Sequence, residues 1–87
     1  MKFSGKNVLI TGASKGIGAE IAKNLANYGL KVWINYRSKI EEAETIKEQI
    51  EKAGGTAAII KADVSVEEQF IAAIKTIIES DGELAYL

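Results

Sequence analysis

Apolar positions change their spacing repeatedly along the chain, and each change predicts an element. Val8 to Thr11 is a short continuous run of the kind that forms a strand buried on both faces. From Gly16 to Tyr28 the spacing becomes helical, through Ile17, Ile21, Ala22 and Leu25, with Gly29 as the residue that ends the helix. Leu30 to Tyr36 predicts a second strand on the β-branched and aromatic content of Val32, Trp33 and Ile34. Ser38 and Glu41 have capping-box spacing, and Ala43, Ile46, Ile50 and Ala53 continue an apolar stripe until Gly54-Gly55 stops it. Thr56 to Ala62 predicts a third strand. Asp63-Val64 leads to a second capping box, Ser65 with Glu68, and Phe70, Ile71, Ile74, Ile77 and Ile78 predict the buried face of a third helix. Asp81-Gly82 ends it, and Leu84 to Leu87 reads as the first residues of a fourth strand.

Strands alternating with helices predict an α/β fold, a Rossmann-type doubly wound parallel sheet of which this chain is the N-terminal half. Right-handed crossovers place the first two helices on one face and the third on the other, with strand order 3-2-1 and a truncated strand 4 beside strand 1. Ligand is expected at the carboxyl ends of strands 1 and 4, where the winding reverses. The 87 residues, 47% hydrophobic, suffice for one domain and one modest core, so residues 1–87 read as a single dinucleotide-binding portion truncated before a catalytic segment.

Charge and composition narrow the chemistry. A net charge of −1 offers no basic stripe for nucleic acid. The absence of Cys and His removes disulfides, thiolate catalysis, imidazole bases and most zinc sites. No apolar run is long enough to span a membrane and the N-terminus has no signal-peptide pattern, so a cytoplasmic location is expected.

The candidate site is the stretch Thr11-Gly12-Ala13-Ser14-Lys15-Gly16-Ile17-Gly18, which links a strand to a helix. Gly12 permits a tight turn, Gly16 lets backbone approach a pyrophosphate, and Gly18 lets helix and strand pack closely; free N–H groups at the helix start then face the anion. At the tip of the second strand stands Asn35-Tyr36-Arg37-Ser38, with no carboxylate to repel a 2′-phosphate. Arg37 offers a guanidinium fork to that phosphate, with Lys15 and the start of the Ser38 helix nearby, which favours NADP(H) over NAD(H); solvated surface charges are the alternative. Asp63 could accept a hydrogen bond from the adenine amino group beside Val64, or bond its own downstream backbone as a turn residue. Trp33 reads as core. Glu41, Glu42, Glu44, Glu48 and Glu51, interspersed with Lys39, Lys47 and Lys52, read as a solvated helix face, and no metal site is expected.

Thr11 to Gly18 together with Ala62-Asp63-Val64 resembles the short-chain dehydrogenase/reductase superfamily, and the resemblance covers the whole chain. The three residues between Gly12 and Gly16 distinguish it from the extended epimerase branch. Gly5 to Gly18 with Asn35-Tyr36-Arg37-Ser38 is similar to bacterial 3-oxoacyl-[acyl-carrier-protein] reductases, which reduce 3-ketoacyl chains with NADPH in fatty acid biosynthesis. The resemblance implies that Gly12, Ser14, Lys15, Gly16, Ile17 and Gly18 hold the pyrophosphate and adjoining ribose, Arg37 the 2′-phosphate, and Asp63 with Val64 the adenine. It also implies a homo-oligomer and an acyl-carrier-protein-linked substrate for the complete enzyme. The family's catalytic serine and Tyr-x-x-x-Lys pair have no counterpart here: Tyr28 is followed at that spacing by Val32 and Tyr36 by Ile40. The chain alone is therefore expected to be inactive, with no catalytic residue assigned; a stand-alone or engineered nucleotide-binding half-domain is the alternative.

Overall fold

A computed structural model of the chain describes residues 7–11, 16–82 and 85–86. The elements are β1 (Asn7–Ile10), α1 (Gly16–Asn27), β2 (Lys31–Tyr36), α2 (Ile40–Lys52), β3 (Thr56–Lys61), α3 (Glu67–Asp81) and β4 (Ala85–Tyr86). They form a four-stranded sheet in the order β3-β2-β1-β4, parallel throughout. This is the expected topology, and its register aligns Ile10 with Ile34 and Tyr36 with Lys61, so the ends of β1, β2 and β3 open on one edge.

Side-chain alternation along β1 and β2 divides the core in two. Val8, Ile10, Val32 and Ile34 face α1 and α2, where Ala22, Ala43, Ile46 and Ile50 meet them. Leu9 and Trp33 face α3, packed on Ile77 with Phe70 and Ile74 beside it. Each fully buried Leu or Ile contributes about 1.5–3 kcal/mol relative to an exposed one, which is why β1, covered on both faces, is apolar from Val8 to Ile10.

Both helix stripes differ in detail from the sequence pattern. α1 seats on alanines, Ala19, Ala22 and Ala26, while Ile17 is 80% exposed and Ile21 is also outside the core. Small side chains let this helix approach the sheet, and the two isoleucines lie off the stripe, Ile17 on the opposite side of the helix. In α3, Ala73 and Ile77 are buried, but Ile71 and Ile78 are exposed. Ile78 follows Ile77 by one residue, about 100° around the helix, so both cannot face the same sheet.

Neither predicted capping box forms. α2 begins at Ile40 with Lys39 at the N-cap, and α3 at Glu67 with Val66 there; neither cap makes a side-chain bond. Ser38 and Ser65 each stand one residue too early, so their hydroxyls fall out of frame. Paired carboxylates in each first turn, Glu41 and Glu42, then Glu67 and Glu68, complement the positive helix end instead. The C-termini follow expectation. After α1 the Gly29 N–H donates to Ala26 O and the Leu30 N–H to Leu25 O; after α2 the Gly54 N–H donates to Glu51 O and the Gly55 N–H to Ile50 O. Gly29 and Gly54 have φ of 92° and 91°, the left-handed residue of a Schellman ending.

At the sheet edge opposite the strand tips, Asp81 ties α3 to β2. Its carboxylate accepts hydrogen bonds from Trp33 Nε1 at 2.7 Å, Lys31 Nζ at 3.1 Å and Ser80 Oγ at 3.0 Å, and Lys31 lies 4.8 Å from the Trp33 ring centre. Desolvation pushes the Asp81 carboxyl up, but these bonds and the Lys31 charge outweigh it and hold its pKa below the ordinary value. Trp33 is thus core, as expected, with its indole N–H satisfied.

Candidate functional site

The glycine-rich stretch links β1 to α1 in sequence. Gly12, Ser14 and Lys15 fall outside the described residues. Gly16 begins α1 with φ 64°, and a Cβ placed there would meet nothing within 4 Å. The backbone conformation suits glycine, and the space a side chain would take is open to a ligand group. Ile17 stands exposed beside it and Gly18 is half-buried. The first turn of α1 carries no carboxylate, unlike α2 and α3, so its N–H groups keep their positive end for an outside anion.

β2 delivers Arg37 to the same edge. Arg37 is exposed and, among the described residues, has no carboxylate within ion-pair distance. The expected contribution of a helix capped at Ser38 changes: the N-cap lies one residue later, at Lys39. The solvated carboxylate face of α2 is as expected, with Lys47 3.5 Å from Glu51 and Lys39 4.0 Å from Glu42. Among the described residues no cluster of acidic side chains could hold a metal ion.

β3 ends beside Arg37 in a tightly bonded turn. Asp63 takes the turn role, its Oδ1 accepting from Ser65 Oγ at 2.6 Å and from the Ser65 N–H at 3.0 Å. Those two bonds, led by the hydroxyl, lower the Asp63 pKa against slight desolvation, and the Arg37 charge lowers it further, which places guanidinium and carboxylate within electrostatic reach. Val64 is partly exposed next to it.

Two residues that hold this turn from outside it, Asn35 of β2 and Gln69 of α3, carry roles that no motif assigned. Asn35 is buried, 6% exposed, and its Nδ2 donates to Ala62 O at 3.1 Å and Ile60 O at 3.4 Å; the Ala62 N–H donates to Tyr36 O at 3.0 Å. Gln69, in the first turn of α3, accepts the Asp63 N–H at 2.8 Å. An amide inside an otherwise apolar strand was the visible signal for Asn35; Gln69 had none, because the frame of α3 differs by one residue from the predicted one.

A groove of about 620 Å³ between α1 and α2 includes Gly16 and Ile17 at one end, but it continues along Lys23, Asn24 and Gln49, away from Arg37 and Asp63. Of the predicted residues that are described, Gly16 and Ile17 line this groove, whereas Arg37, Asp63 and Val64 lie at the strand-tip edge.

Comparison with known proteins agrees with this geometry. The short chain dehydrogenase family profile matches residues 6–87. Elsinochrome reductase 1 of Elsinoe fawcettii is 40% identical over 83 residues, 95% of this chain and 31% of the relative. Tetrahydroxynaphthalene reductase of Pyricularia oryzae is 40% identical over 82 residues, 94% of this chain and 29% of the relative. A metagenomic short-chain oxidoreductase solved in complex with NADP superposes with a TM-score of 0.92 at 32% identity, over 98% of this chain and 38% of that one. The chain therefore spans about a third of the length of the proteins it matches. With a parallel sheet in the order β3-β2-β1-β4, an open glycine start to α1 and a family match over nearly its whole length, the chain belongs to the short chain dehydrogenase family.

Proposed function

We propose that this chain is the NADP(H)-binding portion of a carbonyl-reducing oxidoreductase. The observation that carries the reading is the placement, on one sheet edge, of the open Gly16 helix start and the exposed cation Arg37, which makes no ion pair among the described residues. Gly12, Ser14, Lys15, Gly16, Ile17 and Gly18 would hold the pyrophosphate and its ribose, Arg37 the 2′-phosphate, and Asp63 with Val64 the adenine. Hydride from the dihydronicotinamide, delivered to a substrate carbonyl carbon, is the chemistry that bound NADPH supplies. This chain's part is to bind and orient the nucleotide, and no proton donor is assigned within it. The NADP complex of the metagenomic relative supports the cofactor.

For the substrate, the pattern Asn35-Tyr36-Arg37-Ser38 supports reduction of a 3-ketoacyl group on acyl carrier protein, in a cytoplasmic enzyme that assembles as a homo-oligomer when complete. A second reading, reduction of a hydroxylated aromatic ketone, is favoured by the tetrahydroxynaphthalene reductase relative. Turnover of acetoacetyl-acyl-carrier-protein against a naphthol-derived ketone, by an enzyme containing this chain, separates the two readings.

The cofactor assignment is tested through Arg37. Arg37→Asp turns a charge pair with the 2′-phosphate into a repulsion, and loss of a charge-assisted bond is worth about 1.5–3 kcal/mol, or roughly ten- to a hundredfold in affinity. NADPH binding is expected to weaken by that factor and NADH binding to change by about twofold or less. Equal losses for both cofactors would remove Arg37 from the phosphate.

A further inference from the structure

We propose that Gln69, with Asn35, is a positioning residue for the adenosine end of the nucleotide, acting through the Asp63–Val64 turn. The inference rests on the nucleotide-binding reading above. The turn is gripped from two sides: Asn35 holds the carbonyl of Ala62 immediately before it, and Gln69 holds the N–H of Asp63 itself. Inside this grip the Asp63 carboxylate is oriented by the Ser65 N–H and hydroxyl, and the Val66 N–H returns to Asp63 O at 3.0 Å. Every polar group of Asp63 bar one carboxylate oxygen is thereby engaged within the turn.

Folding alone does not account for Gln69. Its side chain is exposed, so removing it empties no core, and water could satisfy the Asp63 N–H equally well. What water cannot supply is one fixed orientation of the turn. As the third residue of α3, Gln69 would in a capping box reach back to the N-cap N–H; here it passes over Val66 and reaches Asp63 instead. A rigid first turn of helix is thus coupled directly to the two residues that face the adenine.

Gln69→Met removes the acceptor while keeping length and helix propensity. In the 87-residue chain, calorimetric titration with adenosine 2′,5′-bisphosphate is expected to show binding about five- to tenfold weaker than wild type, with binding of nicotinamide mononucleotide unchanged. Gln69→Glu keeps an acceptor at the same place and is expected to bind adenosine, which has no phosphate for the new charge to repel, within about twofold of wild type by NMR shift titration. Amide exchange at Asp63 is expected to speed up in Gln69→Met and to stay slow in Gln69→Glu. Wild type that binds while Gln69→Met binds equally well overturns this inference and leaves the nucleotide reading standing. Wild type that binds no adenosine 2′,5′-bisphosphate removes the nucleotide reading, and this inference with it.

Discussion

Two aspartates at opposite edges of the sheet show how one side-chain type serves different ends. Asp63 is largely solvated and locally bonded, so it shapes a turn. Asp81 is enclosed by Lys31, Trp33 and Ser80, so it joins a helix to a strand. The folded-state pKa of Asp81 is depressed, so its ionised form contributes stability above the unfolded carboxylate value, and that stability is lost as pH falls through the folded value. Asp81→Asn is accordingly expected to cost about 1–3 kcal/mol at pH 7 in urea unfolding, with the gap to wild type closing as pH falls below about 4. A gap independent of pH would show that the charge of Asp81 does not stabilise the fold. The candidate site is legible in sequence chiefly as glycines and an arginine at strand tips, and of these the structure describes Gly16, Gly18 and Arg37. The partners of Asn35, 25 and 27 residues away, leave no local signature beyond an amide in an apolar strand, and the reach of Gln69 back to Asp63 depends on the frame of α3.

At the scale of elements, the periods of the apolar positions predicted all four strands and three helices in order, and their parallel topology followed from connection rules. What periodicity missed was which part of each stripe the sheet would cover. α1 is seated by alanines, whose small side chains permit close approach, while Ile17 and Ile21 of its apolar repeat stay outside the core. The caps failed for a related reason: a hydroxyl one residue out of frame cannot reach the helix N–H groups. Close approach also governs the α2–β3 junction. A Cβ on Gly55 would lie 2.9 Å from Ile50 Cγ2 and 3.1 Å from Ala26 Cβ, both buried atoms that cannot withdraw into solvent. Gly55→Ala is expected to destabilise the chain by about 1–3 kcal/mol, read as a lower thermal midpoint, through overpacking between α1 and α2. An unchanged midpoint would mean that the two helices can separate without cost.

For the molecule as a whole, the sheet divides labour between its two edges. One edge, closed by Asp81, Lys31 and Trp33, holds the layers together; the other presents an open helix start, an exposed arginine and a braced turn. Such a separation lets the binding edge stay polar without weakening the core. A ligand that occupies that edge stabilises the fold by mass action, so saturating NADPH at a hundred times its Kd is expected to add about 2.7 kcal/mol to unfolding. The family's reductive chemistry is proposed to need residues beyond those found here, since the matched proteins are about three times as long. The central claim is that this edge takes a nucleotide with a phosphate on the adenosine 2′-oxygen. Calorimetric titration of the 87-residue chain with NADPH and NADH tests it most directly: NADPH is expected to bind at least about tenfold more tightly, and equal affinity for the two, or none for either, would contradict it.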